Sequence, residues 1–372
     1  MNVLVTGGAG FIGSHLVDRL LADGHSVRVL DSLDPQVHPR GEPPDYLASE
    51  AELQAGDVRD HDAVARALDG VDSVVHLAAA VGVGQSMYEI ERYTSVNAIG
   101  CAVVLEEVAK LRDRIGKLVV ASSMSIYGEG QYANPRTGET GIAPPLRPDE
   151  QLQRRDWEVR GDDGGELVAE PTAETKVLKP SSIYAVGKRD HEEMVLSFGA
   201  AYGLPAAALR FFNVYGERQA LSNPYTGVVA IFASRLLNGH APLVFEDGLQ
   251  SRDFVDVRDV ARAVALALTG SSGDGEAFNV GSGRPRSVRE IAETIARGLG
   301  VELKPELVGQ YRAGDIRHCF ADPAKAEQLL GFRAEIDFES GMADLLSWLE
   351  GQEATDSVET AHEALVSRGL AR

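Results

Sequence analysis

Tyr184 and Lys188 stand four residues apart in Tyr-Ala-Val-Gly-Lys. On a helix that spacing puts both side chains on one face. A lysine ammonium close to a phenol stabilises the phenolate and draws its pKa below the free value of about 10. The tyrosine then becomes a usable general base near neutral pH. Ser123 closes the apolar run Val119-Val120-Ala121-Ser122-Ser123. A hydroxyl there can hydrogen-bond a substrate oxygen. Upstream of both lies Gly7-Gly8-Ala9-Gly10-Phe11-Ile12-Gly13, a Gly-x-x-Gly-x-x-Gly loop with one extra glycine. Glycines let the backbone turn tightly and approach a pyrophosphate, and the amides of a following helix favour the anion.

Each of these needs an element to hold it. Val3-Leu4-Val5-Thr6 reads as a buried strand ahead of the loop, and 11–22 as the helix behind it, with Leu16 and Leu20 on one face. This strand–loop–helix context is what dinucleotide binding requires. Residues 25–31 form the next strand and end on Asp31, whose carboxylate can accept both hydroxyls of an adenosine ribose. It repels a 2′-phosphate, and no basic residue adjoins it, so NAD is favoured over NADP. Asp57 and Val58 end a third strand, where an adenine edge could be met; for Asp57 a structural cap is the competing reading. A helix over 60–68 capped by Asp60, a strand over 72–77, a long helix over 88–110 and a strand over 116–122 continue the alternation. Strand and helix at this spacing imply a parallel sheet.

The rhythm breaks over 129–179, where prolines, glycines and charges show no sustained period. Long irregular segments in compact domains are usually lids or linkers. We expect this one to order partly over the active site, with Trp157 as its chief anchor and no metal. Regular structure returns with a helix over 184–201, a strand over 206–211, helices over 228–238 and 257–268, a strand over 277–280 and a helix over 287–299. Ser287 and Glu290 have the spacing of a capping box at the last of these. A helix over 338–350 and a further amphipathic helix in the tail complete the chain.

The 372 residues carry 36 Lys+Arg against 56 Asp+Glu, a net charge of −20. Such a surface disfavours nucleic acid and anionic membranes. Apolar residues make 44% and charged residues 25%, a globular composition. Two cysteines, Cys101 and Cys319, form no disulfide framework and no metal quartet. No apolar run is long enough to cross a membrane, and the first residues lack the pattern of a signal peptide. A cytoplasmic location is the expectation.

The segments GGAGFIGSH, GDVRD, VVHLAA, SSMSIYG, YAVGK, RFFNVYG, RDFVDVRDVA and FNVGSG together resemble the extended short-chain dehydrogenase/reductase family, over about residues 1–345. The nucleotide-sugar epimerase and dehydratase branch matches best. The resemblance implies an α/β fold: a Rossmann domain with a parallel sheet over 1–205, carrying the long insertion at 129–179. A smaller, interleaved domain for a nucleotide-diphosphate sugar would span 206–350, and a tail helix 351–372. It implies NAD contacts at Gly7, Gly10, Phe11, Ile12, Gly13, Asp31, Asp57, Val58, Leu77, Ala78, Ala79, Asn97, Tyr184 and Lys188. Ser123, Tyr184 and Lys188 are implied as catalytic. Substrate contacts are implied at Ser123, Asn213, Arg218, Arg252, Arg312 and Cys319, with Arg317 a weaker candidate.

At Cys319, a gate that sets the room around the sugar competes with plain core packing. Dehydratases of the branch carry Asp-Glu directly after the catalytic threonine. This chain has Met124-Ser125 there, and neither side chain can do that proton work. A 4-epimerase is therefore implied, similar to those acting on UDP-galactose and dTDP-L-rhamnose. A 4-ketoreductase or decarboxylase with the same residues, and an NAD-sensing protein without catalysis, remain alternatives. A homodimer paired through the helices over 88–110 and 184–201 is expected.

Overall fold

The computed structural model describes residues 1–372. Seven parallel strands form its main sheet: β1 Asn2–Thr6, β2 Ser26–Asp31, β3 Glu52–Ala55, β4 Ser73–His76, β5 Lys117–Ser123, β6 Ala206–Phe211 and β7 Glu276–Val280. The order is β7-β6-β5-β4-β1-β2-β3. The connections diverge between β1 and β4. In an open parallel sheet that divergence opens a crevice beyond the strand ends, where ligands bind.

The strands inside the edge strand β3 are largely buried on both faces, as a helix-covered sheet demands. Side chains alternate between two cores. Val3, Val5, Val119 and Ala121 pack with the helices Phe11–Ala22 and Val257–Thr269. Leu4, Val74, Leu118 and Val120 pack with Gly100–Lys110 and Ile183–Tyr202. The second domain has its own core, built by Val228–Leu237, Val288–Gly298 and Phe338–Leu349 around Phe254 and Tyr215. Beside it, Ser251–Asp256 pairs in parallel with Asn213–Tyr215 and His318–Cys319.

The interleaving is as expected: β6, β7 and the helix Val257–Thr269 return to the main sheet, because their alternating apolar faces complete the two cores. Several expectations are corrected. The helix expected over 88–110 starts at Ile90 and carries a π turn at Ser95–Ile99. Such one-turn bulges recur at functional sites. Here the turn carries Asn97, whose amide pairs with both backbone groups of Ala80 at 2.8 and 3.1 Å. Its carbonyl accepts from His191 Nε2 at 2.9 Å. The capping box is half-formed. Ser287 accepts from the Glu290 amide, while the Glu290 carboxylate turns to Arg286.

The 129–179 segment does not roof the crevice. It packs behind it, against residues 245–247 and 315–322. A small core of Tyr132, Val159 and Leu167 organises it, and Trp157 is only half-buried beside Tyr311. Buried charges do the anchoring. Arg147 pairs with Glu246 at 2.8 Å. Arg317, with no exposed surface, reaches Glu158, Glu246 and Asp247 at 2.5, 3.0 and 2.7 Å. Glu129 accepts from Tyr132 and from the Arg317 amide. No helix is long and apolar enough to cross a membrane.

Candidate active site

One cleft of about 810 Å³ runs along the carboxyl ends of β1, β2, β4 and β5 and on into the second domain. That is room for a large ligand or two joined ones. The glycine loop forms one end. Gly7 has φ +71°, and a side chain there would meet the backbone of Ala78 at 2.8 Å. Gly13 packs on the loop so closely that a Cβ would clash with Gly7 O. At Gly10 an added Cβ meets only Gly7 O at 3.4 Å, so the surface toward the cleft is open. The amides of Phe11, Ile12 and Gly13 begin a helix and have no carbonyl of their own turn to bond. All five residues, Gly7, Gly10, Phe11, Ile12 and Gly13, line the cleft, a cradle suited to a pyrophosphate.

Asp31 is nearly buried, and its two oxygens accept from the Ala9 and Leu33 amides at 3.0 and 2.9 Å. Each keeps acceptor capacity toward the cleft. Asp34 lies on the same rim, paired with Arg92 at 3.0 Å. Asp57 and Val58 line the next stretch, but Arg59 grips both Asp57 oxygens at 3.0 and 2.6 Å. Leu77, Ala78 and Ala79 form the wall after β4. Thr6 organises them: its carbonyl takes the Leu77 amide, and its hydroxyl takes the Ala78 amide. Asn97 is fully buried and does not line the cleft. It braces the Ala80 turn from behind, so its part is indirect.

Ser123, Tyr184 and Lys188 converge at the middle of the cleft. Ser123 Oγ accepts from the Ser125 amide at 3.2 Å and its hydroxyl at 2.9 Å. Its own proton is left free to donate. Tyr184 heads the helix Ile183–Tyr202, capped by Ser182, and its amide donates to Ser86 Oγ at 3.1 Å. The Lys188 ammonium is buried and donates to Ala121 O at 2.9 Å, with His191 Nδ1 at 3.5 Å. Burial lowers the Lys188 pKa to about 8. Burial also pushes the Tyr184 phenol up to about 12, with Ser123 drawing it back down. The expected depression by Lys188 is thus absent. One of the three ammonium donors goes to Ala121 O, and none bonds the phenol directly.

The far end of the cleft carries Asn213, Arg252 and Arg312. Asn213 Oδ1 is buried without a partner. Asp315 holds both arginines, at 3.3 Å from Arg252 and 2.9 Å from Arg312. Against the upward push of burial, Arg312, Arg252 and Arg147 keep its carboxyl below the ordinary range. The Arg312 guanidinium rests on the Phe245 ring at 4.9 Å. Two cations in one cleft, sharing one carboxylate, leave a positive excess suited to a multiply charged anion.

Three other candidates lie elsewhere. Arg218 is held by Asp18 at 2.7 Å over the Tyr46 ring, outside the cleft lining. Cys319 is buried with Met124, Tyr127 and Phe212 and does not line the cleft, so packing is its role. Arg317 belongs to the buried charge network. Sequence reasoning missed Ser86, Phe245 and Asp315, and it missed the tail. Val358, Ala361, His362 and Leu365 all line the cleft. Their i, i+3, i+4, i+7 spacing was a readable signal for an inward face, though not for what it would face.

Residues 3–151 and 158–281 match the model of the NAD dependent epimerase/dehydratase family. The chain is 33% identical over 351 residues to dTDP-L-rhamnose 4-epimerase of Burkholderia thailandensis, covering 94% of each chain. UDP-glucose 4-epimerase of Thermotoga maritima, solved with UDP-glucose, superimposes with a TM-score of 0.75 at 32% identity, covering 94% of this chain and 99% of that one. The Thermus thermophilus UDP-glucose 4-epimerase complex with NAD gives 0.74 at 31%, covering 95% and 100%. By the family model and these relatives, this chain belongs to the NAD-dependent epimerase/dehydratase family of enzymes.

Proposed function

We propose that the protein is an NAD-dependent nucleotide-sugar 4-epimerase, with a dTDP-hexose such as dTDP-L-rhamnose as the first substrate to test. The reading is carried by one observation: the Ser123–Tyr184–Lys188 centre and the Arg252–Arg312 pair share a single cleft. The arginines fit a sugar-nucleotide diphosphate, with Asn213 beside it. The sugar then reaches back to Ser123 and Tyr184. When bound, NAD supplies the reversible acceptance of hydride from C4.

The residues of this chain do the rest. Tyr184 takes the proton of the 4-hydroxyl as the carbonyl forms and returns it on reduction. Ser123 donates its free proton to the same oxygen. Lys188, fixed by Ala121 O through one of its three donors, holds the cofactor ribose with the others. The clamped diphosphate lets the 4-keto sugar turn over its bond to the phosphate without leaving. Met124 is packed in a core with Tyr127 and Phe212, and Ser125 is bonded to Ser123. Neither offers the acid–base pair that eliminating water across C5–C6 needs.

The relatives named above support a nucleotide-linked hexose, since one is a dTDP-L-rhamnose 4-epimerase and one was solved with UDP-glucose. A dimer through the helices over 90–110 and 183–202 fits the exposure of Ile90, Ile99 and Val186 on them. The deciding experiment incubates the NAD-loaded protein with dTDP-, UDP- and GDP-hexoses and follows C4 configuration and free NADH. Interconversion of C4 epimers without net NADH supports the reading. A reduced, dehydrated or decarboxylated product overturns it.

A further inference from the structure

The tail is built as part of the cleft rather than as an appendage. Its helix, Val358–Val366, turns Val358, Ala361, His362 and Leu365 inward on one stripe. Glu359, Thr360 and Glu363 are exposed on the other side. The tail is fastened at three places. Asp356 accepts from His240 at 2.7 Å and from the buried Arg235 at 3.3 Å. Leu365 packs on Gly84 and the Arg368 guanidinium on the Tyr88 ring at 4.5 Å, both on the wall that follows β4. The last residues pair with the segment around Arg312: Tyr311 and Arg372 exchange amide–carbonyl bonds at 2.8 and 2.9 Å, and the Ala313 amide donates to Leu370 O at 2.9 Å. The strap therefore spans the cleft from the second domain to the first, and its end frames Arg312 on both sides.

His362 is the only polar side chain on the inward stripe. Its ring meets Phe245 edge-on, with centroids 5.6 Å apart, and Phe245 carries the Arg312 guanidinium on its face. Nδ1 is sealed from solvent and has no protein partner. That leaves Nε2 as the ring's one polar atom still open to a partner in the cleft, and no protein group engages it. A polar ring placed without partners on an otherwise apolar face calls for an explanation. A cleft ligand supplies one.

On the reading of the cleft as a nucleotide-sugar site, the substrate runs from Tyr184 to the arginine pair with its sugar and diphosphate. What remains beyond Arg312 is the nucleoside, and the groups waiting there are Phe245 and His362. We propose that the tail helix forms a wall of the nucleoside subsite and that His362 hydrogen-bonds the nucleoside, making it a specificity-determining residue. The apolar members of the stripe shield that bond from water.

The test compares binding of UDP, dTDP, GDP and inorganic pyrophosphate to the NAD-loaded full chain by calorimetry. The variants are His362→Ala and His362→Phe, the second of which keeps a ring against Phe245. We expect the wild type to prefer at least one nucleotide over pyrophosphate. Both variants should weaken that nucleotide by about tenfold, the range of a single buried hydrogen bond. Pyrophosphate affinity, NAD content and the thermal midpoint should stay as in the wild type. Wild-type nucleotide affinity in both variants overturns the proposal while leaving the nucleotide-sugar reading intact. Equal weakening of pyrophosphate also overturns it, since His362 would then act through Arg312. If the wild type binds no nucleotide better than pyrophosphate, the nucleotide-sugar reading itself fails and this proposal with it.

Discussion

Around β1, β4 and β5 the inward side chains are almost all aliphatic, and the reactive groups sit where the strands stop. Across 129–179 the inward side chains include Glu129, Arg147 and Glu158, facing Arg317, Glu246 and Asp247 from the second domain. Both regions are buried, and they differ in what burial does. In the sheet, removing apolar area from water is the stabilising term, roughly 25 cal/mol per Å², and no partner need be specified. In the excursion, each charge is costly to bury and is tolerated only because its counterpart is in reach. The sheet can therefore hold chemistry at its edge without depending on it. The excursion holds one geometry or none.

The largest expected effect removes chemistry and leaves structure. Tyr184→Phe deletes one hydroxyl from a helix that Ser182 and its neighbours fix. It should keep the fold and NAD while losing about 10²–10⁴ in turnover. Epimer interconversion measured beside bound NAD checks this, and normal turnover in loaded protein would assign the proton to another residue. The phenol pKa of about 12 also predicts a rate that rises with pH. The positive nicotinamide ring of bound NAD should move that rise below 12. A phenolate absorbance titration of wild type against Tyr184→Phe, with and without NAD, measures the shift.

The converse change removes structure and leaves chemistry. Arg317→Leu strands Asp247 and leaves Glu246 with Arg147 alone and Glu158 with His318 alone, and breaking such a buried set costs about 3–5 kcal/mol. The loss should fall on the excursion, seen as faster amide exchange over 129–179 with NAD retained. Leu4→Ala in β1 should cost about 2–5 kcal/mol but lower protection across the whole sheet. If Arg317→Leu also releases NAD, the two regions are not separable and the contrast fails.

Acid should separate them as well. Burial, with Lys188, drives the His76 pKa down to about 3, against 6.5 for a free histidine. The unfolded chain takes up that proton first, so stability present above pH 6.5 is lost as pH falls from there toward 3. Glu158 is held at about 2 by the His318 hydrogen bond and then Arg317. Its contribution is present above its ordinary 4.5 and is lost between 4.5 and 2. The sheet should therefore weaken at a higher pH than the excursion. Trp157 fluorescence followed beside sheet amide exchange reads both, and the reverse order would break the comparison.

The smallest effect sharpens the cofactor end. Asp31→Ser removes the charge that opposes a 2′-phosphate and should narrow the preference for NAD over NADP on the order of tenfold. Dissociation constants for both cofactors check it; a wild type that prefers NADP would contradict the assignment.

What the residues alone determined follows from signals between chain neighbours. The unbroken apolar run Val3-Leu4-Val5, the glycines at 7, 10 and 13 and the four-residue step from Tyr184 to Lys188 act over one element. Each means the same thing wherever that element is placed. They sufficed for the parallel sheet, the cradle and the Ser-Tyr-Lys centre. Tertiary structure decided the questions that depend on a distant partner. Arg252 and Arg312 reach the cleft while Arg218 turns to Asp18 and Arg317 to Glu246. An arginine reads alike in all four contexts, since its partner is set by packing and not by spacing. Cys319 went to a core, Asn97 to the back of a turn, and the Lys188 ammonium to Ala121 O instead of the phenol. The tail helix displayed its apolar stripe in the sequence. Only the folding of residues 358–372 back onto Arg312 and Gly84 made that stripe a wall of the site.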